Sequence, residues 1–215
     1  MLEKYLQYAK EYFIQYGGYN HPDPRYNFRS KYEHTLRVLK WCNVLKNDGI
    51  FVNTDILYTA AIFHDIGYGA SIEKSLHAEK SACIFEEYAR MQHMDAKFSE
   101  AVSYLIRMHS RKELLNDPNT PQELIILMEA DLLDEEGALR VIWYCASKAI
   151  QGADRYSDFV DFIRMGSDKR LENPMVTPHA RKLWDQKCNL VSDFLEKLSD
   201  DIDMSLEALS TNEYK

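Results

Sequence analysis

The stretch AAIFHDIGYGA, residues 60–70, places a histidine and an aspartate at the end of a run of small and apolar residues. The run has the pattern of a buried helix, and glycines interrupt it soon after His64 and Asp65. Burying an unpaired carboxylate costs on the order of several kcal/mol, so some partner has to compensate it. A salt bridge, a hydrogen-bonded cap and a metal ion are the three candidates.

The sequence around this run also has the pattern of helices. Apolar residues recur at helical spacing over long stretches, and the 215 residues include only 8 glycines and 6 prolines. This combination predicts an all-α protein. Because no repeat or linker divides the chain, we expect one helical domain over residues 1–215. The predicted helices span residues 2–16, 30–47, 55–66, 75–92, 96–110, 121–150, 155–165 and 178–202.

Composition limits the classes of function. A net charge of −8 argues against a broad surface for nucleic-acid polymers or acidic membranes, but it leaves room for a small basic pocket that binds one phosphate. No apolar run approaches the roughly 20 residues of a membrane span, and the N-terminus lacks the pattern of a secretory signal. The four cysteines are widely spaced without a C-x-x-C pair, which is typical of reduced core thiols. We therefore expect a cytoplasmic protein.

Histidines and aspartates share helix faces with apolar residues on five predicted helices. The rows are Leu57, Ala60 and Ala61 with His64; Val102, Leu105 and Ile106 with His109; Leu124, Leu127 and Met128 with Asp131; Val38, Trp41 and Leu45 with His34; and Ser81 and Ile84 with His77. One such residue alone is typical of a satisfied core histidine or a buried cap, but five rows together require a common partner. Neutral imidazole and ionised carboxylate are ligands of divalent cations such as manganese, iron, zinc or magnesium. The sequence thus predicts a catalytic metal centre.

The order of these residues resembles the HD superfamily of metal-dependent phosphohydrolases: His34, then His64-Asp65 at a helix end, then a distant Asp131. Four segments look like segments of that family, in the family's order, and together they span about residues 30–150. They are AAIFHDIG (60–67), HAEKSA (77–82), YLIRMHS (104–110) and EADLLDEEGA (129–138). Residues 155–202 are similar to the C-terminal helices of small stand-alone bacterial members, which pack on the metal-binding core.

The resemblance implies a single helical bundle with the metal at its centre, held by His34, His64, Asp65 and Asp131. His64 and Asp65 would also be catalytic, and Asp65 would bridge two metals or orient the attacking water. His77 and His109 match the additional histidines of members that hold two metals. The alternative is that they contact the substrate phosphate beside a single ion. The cofactor is therefore one or two ions of manganese, iron, magnesium or zinc.

The resemblance also implies an activity, the hydrolysis of a phosphoester or phosphoanhydride bond by metal-activated water. The expected substrate is a small phosphorylated molecule, a nucleotide in the first instance. Arg111 and Lys112 follow His109 and are candidates to clamp the phosphate, although basic residues are also common at helix C-termini. Tyr68 stands where many two-metal members carry lysine. Lys74, with Glu73, is the candidate acid or phosphate contact, and a solvated pair is the alternative.

Two other functions remain open from the sequence. A two-iron oxygenase of the same superfamily would use the same histidines and aspartates to oxidise a substrate with dioxygen. A helical binding module would keep the metal for stability alone. The 14 tyrosines and 3 tryptophans belong to the core, a pocket or a homodimer interface, and the sequence does not decide among these.

Overall fold

In the computed structural model, α-helices and 3-10 turns make up all regular secondary structure of the described residues, which are 2–21, 23–47, 49, 51–69, 76–168 and 172–203. The all-α prediction is confirmed. The α-helices are α1 (Leu2–Tyr16), α2 (Lys31–Lys46), α3 (Thr54–Phe63), α4 (His77–Met91), α5 (Ala96–Met108), α6 (Gln122–Asp134), α7 (Ala138–Ile150), α8 (Tyr156–Asp168) and α9 (Pro178–Asp201). Shorter 3-10 turns lie at Pro24–Tyr26, Ile66–Tyr68 and Lys112–Asn116.

The helix predicted over residues 121–150 is in fact two helices. The chain leaves helical geometry after Asp134, and Gly137 has a φ of 76° directly before α7. Side chains other than glycine rarely adopt that conformation, so the glycine marks the break. The prediction of one continuous helix was wrong at this point.

The chain divides into two compact units, Met1–Asp134 with Pro174–Ala180, and Glu135–Asn173 with Arg181–Lys215. In the second unit, α8 and α9 share a small core of Val160, Ile163, Val191 and Leu195. The expectation of a single domain over residues 1–215 stays a prediction.

Helix α3 is central to the first unit, because it contacts each of α1, α2, α4, α5 and α6. The side chain of Asn53 caps its N-terminus by accepting hydrogen bonds from the backbone amides of Asp55 and Ile56. Its residues from Ala60 to Phe63 are fully buried. The helix ends at Phe63, three residues earlier than predicted, so His64 and Asp65 lie at its buried C-terminal end.

The turn after α3 packs closely on α4. A Cβ atom added to Gly67 would lie 2.6 Å from the backbone nitrogen of Ser81 and 2.8 Å from the carbonyl oxygen of His77. The amide of Gly67 also donates a hydrogen bond of 2.9 Å to the Ser81 hydroxyl. Glycine is required here by space, and it brings the first turn of α4 beside Asp65.

The buried carboxylate of Glu129, in α6, fastens the short segment Pro174–Ala180 to the first unit. It accepts hydrogen bonds from the backbone amides of Val176 and Thr177 at 2.7 and 2.8 Å, and from the Thr177 hydroxyl at 2.6 Å. These donors lie at the N-terminus of α9, where a negative charge is favourable. Glu129 is thereby satisfied within the protein and is not a donor to the metal centre in this arrangement.

Two further sequence expectations can be compared with the structure. Among the described residues, no helix is both long and apolar enough to cross a bilayer. All four cysteines are free thiols. Cys42 is buried, but Cys83 is exposed, so the prediction that all four are core thiols was wrong for Cys83.

Candidate metal centre

Five helices bring six imidazole and carboxylate side chains to one place inside the first unit. All six were candidates from the sequence, and α3 supplies two of them at its C-terminal end. They are His34 from α2, His64 and Asp65 from the end of α3, His77 from the first turn of α4, His109 from the end of α5 and Asp131 from α6.

Four donor atoms form a first group around the Nε2 atom of His34. That atom lies 3.3 Å from His64 Nε2, 3.3 Å from Asp131 Oδ1 and 3.4 Å from Asp65 Oδ2. His64 Nε2 lies 3.7 Å from the same Asp65 oxygen and 4.0 Å from Asp131 Oδ1. Donors placed about 2.1 Å from one small cation are roughly 3.0–3.4 Å apart, so this spacing suits a single ion with small adjustments.

A second group forms around the other oxygen of Asp65. His77 Nε2 lies 3.4 Å from Asp65 Oδ1, and His109 Nε2 lies 3.5 Å from it. The two imidazole nitrogens are 3.2 Å apart. Asp65 therefore presents one carboxylate oxygen to each group of donors.

Hydrogen bonds to the outer ring nitrogens fix how three of the histidines face the centre. Nδ1 of His64 lies 2.8 Å from the Ala61 carbonyl oxygen, and Nδ1 of His109 lies 2.6 Å from that of Ile106. Nδ1 of His34 lies 2.8 Å from Asp134 Oδ2. Because a carbonyl or carboxylate oxygen accepts, each Nδ1 donates, and the neutral ring turns the lone pair of Nε2 inward.

Inward lone pairs that face one another need a positive charge between them. When both rings are neutral, the Nε2 atoms of His34 and His64 are both acceptors and cannot hydrogen-bond to each other at 3.3 Å, so this pair needs either a proton on His34 or a cation. The donor set therefore fits a cation on chemical grounds, and the donor atoms of His34, His64 and Asp131 are close enough together to hold one. The donor atoms of His64, Asp65 and His109, which span both groups, are also close enough together.

The pKa values at the centre reflect the same demand for positive charge. Burial lowers the pKa of His64 to about 3, so this ring stays neutral. Burial also opposes the charged form of His34, but the carboxylates of Asp131, Asp134 and Asp65 outweigh it and raise the His34 pKa well above its ordinary value. Burial opposes ionisation of Asp65 as well, yet the Lys31 ammonium and the surrounding imidazoles hold its pKa well below the usual range.

Two lysines bind the carboxylates of the centre. Lys31 Nζ donates to Asp65 Oδ2 at 2.7 Å, and the same ammonium lies 3.9 Å from the centroid of the Tyr68 ring. Lys112 Nζ donates to Asp131 Oδ2 at 2.7 Å. The structure thus places Lys112 at the centre, whereas the Arg111 guanidinium pairs with Glu113 at 3.0 Å.

A third aspartate, Asp134, is buried and contacts His34 on the side away from the centre. Asp134 accepts from His34 Nδ1 with one oxygen and from Arg37 with both, at 2.8 Å to Arg37 Nε and 3.1 Å to Arg37 Nη2. Carboxylates in this position fix the orientation of a ligating imidazole and raise its basicity. Asp134 is 2 % exposed, so its charge is balanced by Arg37 and His34 rather than by solvent.

Sequence reasoning missed Lys31, Asp134 and Arg37, although spacing contained a signal for each. Lys31 precedes His34 by three residues and Arg37 follows it by three, so all three can lie on one face of α2. Asp134 follows Asp131 by three residues on α6 in the same way. Lys74 and Glu73, the candidate acid or phosphate contacts, lie outside the described residues.

Comparison with known proteins identifies part of the chain. The model of the HD domain family matches residues 32–136, which include all six side chains of the centre. A search of curated proteins gives no match to this sequence.

Solved structures with the same fold cover nearly the whole chain. A predicted HD superfamily hydrolase from an uncultured Thermotogales bacterium is 21% identical with a TM-score of 0.62, covering 93% of this chain and 91% of its own. An HD-superfamily hydrolase from Bacillus thuringiensis is 17% identical with a TM-score of 0.64, covering 95% and 97%. YpgQ of Bacillus subtilis, crystallised in complex with ADP, is 16% identical with a TM-score of 0.62, covering 94% and 95%. The family match thus identifies residues 32–136 as an HD domain, and nearly the whole chain shares the fold of these structures.

Proposed function

We propose that this protein is a metal-dependent hydrolase of phosphoester or phosphoanhydride bonds in a small phosphorylated molecule. The observation that carries the proposal is the placement of Asp65. Its two oxygens face two groups of imidazoles, and the Lys31 ammonium binds the same carboxylate. His34, His64, Asp65 and Asp131 would hold one divalent cation, and Asp65, His77 and His109 a second. When bound, such cations lower the pKa of water from 15.7 towards roughly 7–9 and polarise a phosphoryl oxygen.

The residues of the chain supply orientation and charge for this reaction. The carbonyl oxygens of Ala61 and Ile106 keep two imidazoles in the tautomer that can ligate. Lys112 brings an ammonium to Asp131, where it can donate charged hydrogen bonds to phosphoryl oxygens. Arg111, which pairs with Glu113, is the weaker candidate for this role because its side chain is more exposed. Lys74 stays a prediction.

A nucleotide is the substrate class that we propose to test first. The structurally similar YpgQ was crystallised in complex with ADP, which supports a nucleotide ligand for this fold. We also propose a cytoplasmic location, from the free thiols, and leave a homodimer as a prediction for solution measurement.

Asp134 gives a prediction that concerns ligand orientation. Asp134→Asn removes the negative charge behind His34, and it puts an amide that both donates and accepts where Arg37 needs acceptors. We expect divalent-cation affinity to fall roughly 10- to 100-fold, the range typical of partners behind ligating histidines. Titration calorimetry with Mn²⁺ measures the change.

Glu33→Gln is the matched control, because Glu33 is an exposed carboxylate that also pairs with Arg37, at 3.9 Å. Its Mn²⁺ affinity should equal that of the unmodified protein. Equal affinity in Asp134→Asn would show that Asp134 does not position His34 for a cation.

The first experiment measures metal per chain by elemental mass spectrometry, on protein purified without added metal or chelator. Phosphate release from a panel of nucleotides and other phosphoesters is then assayed without oxygen, with Mn²⁺, Fe²⁺, Mg²⁺ or Zn²⁺. We expect close to two equivalents of metal and metal-dependent phosphate release. A protein that takes up no metal on titration contradicts the proposal.

The same donors support a two-iron oxygenase as a second candidate, because Asp65 with His77 and His109 provides a second group of ligands. Dioxygen uptake that depends on Fe²⁺, without phosphate release, would favour that function. If metal removal melts the protein and no phosphoester is turned over, a binding module stabilised by metal is the better description.

A further inference from the structure

Lys31 lies at a position where the helix itself does not favour it. It is the first residue of α2, and a cation is unfavourable at a helix N-terminus because the macrodipole is positive there. Its backbone amide donates to the Gly18 carbonyl oxygen at 2.7 Å, which anchors the start of the side chain. The side chain then turns inward, with 23% of its surface exposed. The ion pair with Asp65 explains why the Lys31 side chain turns inward.

Three basic side chains already match the three carboxylates of the centre when the imidazoles are neutral. Lys31 is paired with Asp65, Lys112 with Asp131, and Arg37 with Asp134. One divalent cation among neutral imidazoles therefore leaves two positive charges in excess, and a second cation adds two more. Positive charges a few ångströms apart repel strongly in a buried site, so both lysines weaken the binding of a metal. A site built only to hold metal would be better without them.

An anionic ligand resolves this conflict. A phosphoryl group carries negative charge and several acceptor oxygens, so it compensates the excess charge and accepts hydrogen bonds from an ammonium. Lys31 is in place for that role, because its ammonium lies 3.9 Å from the centroid of the Tyr68 ring and also donates a hydrogen bond to Asp65. Attraction to the ring face keeps the ammonium at the centre when Asp65 is engaged by a cation.

We propose that Lys31 is a substrate-binding residue that contacts the phosphoryl group of the substrate beside Asp65, while Lys112 contacts it beside Asp131. The Tyr68 ring positions the Lys31 ammonium for this contact. The inference rests on the proposed function, since it assigns a further residue to the same site. When cation and substrate are both bound, a substrate oxygen takes the place of Asp65 as the acceptor for the Lys31 ammonium.

The test uses the Mn²⁺-loaded protein with inorganic phosphate as the probe. Titration calorimetry gives the affinity for phosphate and, on the metal-free protein, the affinity for Mn²⁺. Lys31→Gln removes the charge but keeps a group that can hydrogen-bond to Asp65. We expect its phosphate Kd to rise by about 10- to 100-fold, the range for a hydrogen bond to a charged group. Its Mn²⁺ affinity should stay the same or become tighter, because a repelling charge is gone.

Lys46→Gln is the matched control, because Lys46 also lies over an aromatic ring, 5.2 Å from the Tyr58 centroid, but belongs to the far end of α2. Its phosphate Kd should not change. If Lys31→Gln does not fold, Tyr68→Leu removes the ring alone and should raise the phosphate Kd severalfold.

Each contrary result has its own meaning. An unchanged phosphate Kd in Lys31→Gln, or in Tyr68→Leu where that variant is the test, overturns the role of Lys31 and leaves the proposed function standing. An unmodified protein that binds Mn²⁺ but neither binds phosphate nor hydrolyses any phosphoester overturns both.

Discussion

Asp65→Asn is expected to abolish cation binding at both donor groups and, with it, any metal-dependent activity. The substitution replaces a carboxylate whose two oxygens face the two groups at 3.4–3.7 Å with an amide that offers one weakly ligating oxygen. The loss should exceed the roughly 10- to 100-fold typical of residues that only support a ligand. Metal per chain, measured by elemental mass spectrometry, and phosphate release on the best substrate of the panel both report it.

The variant has to be folded for this result to count, and a circular-dichroism spectrum with unchanged helix content establishes that. Asp161→Asn is the control, since Asp161 is an exposed carboxylate of α8 that lies 4.0 Å from Arg164. It should keep the metal content and activity of the unmodified protein. If Asp65→Asn also kept them, Asp65 would not be a ligand and the proposed centre would be wrong.

Helical periodicity predicted which histidines and aspartates face inward, and the family resemblance assigned them to one centre. Apolar neighbours at i−3, i−4 and i−7 required His64, His109 and Asp131 to face inward. Residues that face inward from adjacent helices of one small core lie close together. The structure brings them within a few ångströms of one another. What periodicity could not give was the assignment of each Asp65 oxygen to a different pair of histidines, because that depends on how α4 and α5 pack on the end of α3.

Charged residues at the edge of the centre were harder to predict than its ligands. Lys31 and Arg37 carry charges that in most helices are exposed to solvent, and no apolar row marks them as inward-facing. The helix predicted over residues 121–150 continues past Asp134 and gives its carboxylate no distinct position. The break after Asp134 makes it the last residue of α6, where its carboxylate reaches both His34 and Arg37.

Gly67→Ala is expected to separate the two donor groups. The added Cβ would lie 2.6 Å from the Ser81 nitrogen, 2.8 Å from the His77 oxygen and 2.9 Å from the Lys80 carbonyl carbon, all backbone atoms that cannot rotate away. The first turn of α4 must therefore move, and His77 moves with it. Overpacking of this kind lowers the free energy of unfolding by about 1–3 kcal/mol. Chemical denaturation measures that change.

The same variant should lose one cation and keep the other. His77 belongs to the group that shares Asp65 Oδ1 with His109, and ligand distances tolerate shifts of only about 0.2 Å. His34, His64 and Asp131 lie on α2, α3 and α6, which do not carry the added methyl group. Metal per chain should fall from two equivalents towards one, with the remaining cation bound at its original affinity.

Gly152→Ala is the control for destabilisation without displacement of a ligand. Gly152 has a φ of 90° and no atom within 4 Å of an added Cβ, so alanine there costs about 1–2 kcal/mol through backbone strain alone. It should keep both equivalents of metal despite lower stability. Two equivalents in Gly67→Ala as well would mean that α4 can move without carrying His77 away, and that the glycine serves packing only. A fall to one equivalent in Gly67→Ala alone would show that the close approach of the turn to α4 is required for the second donor group to bind a cation.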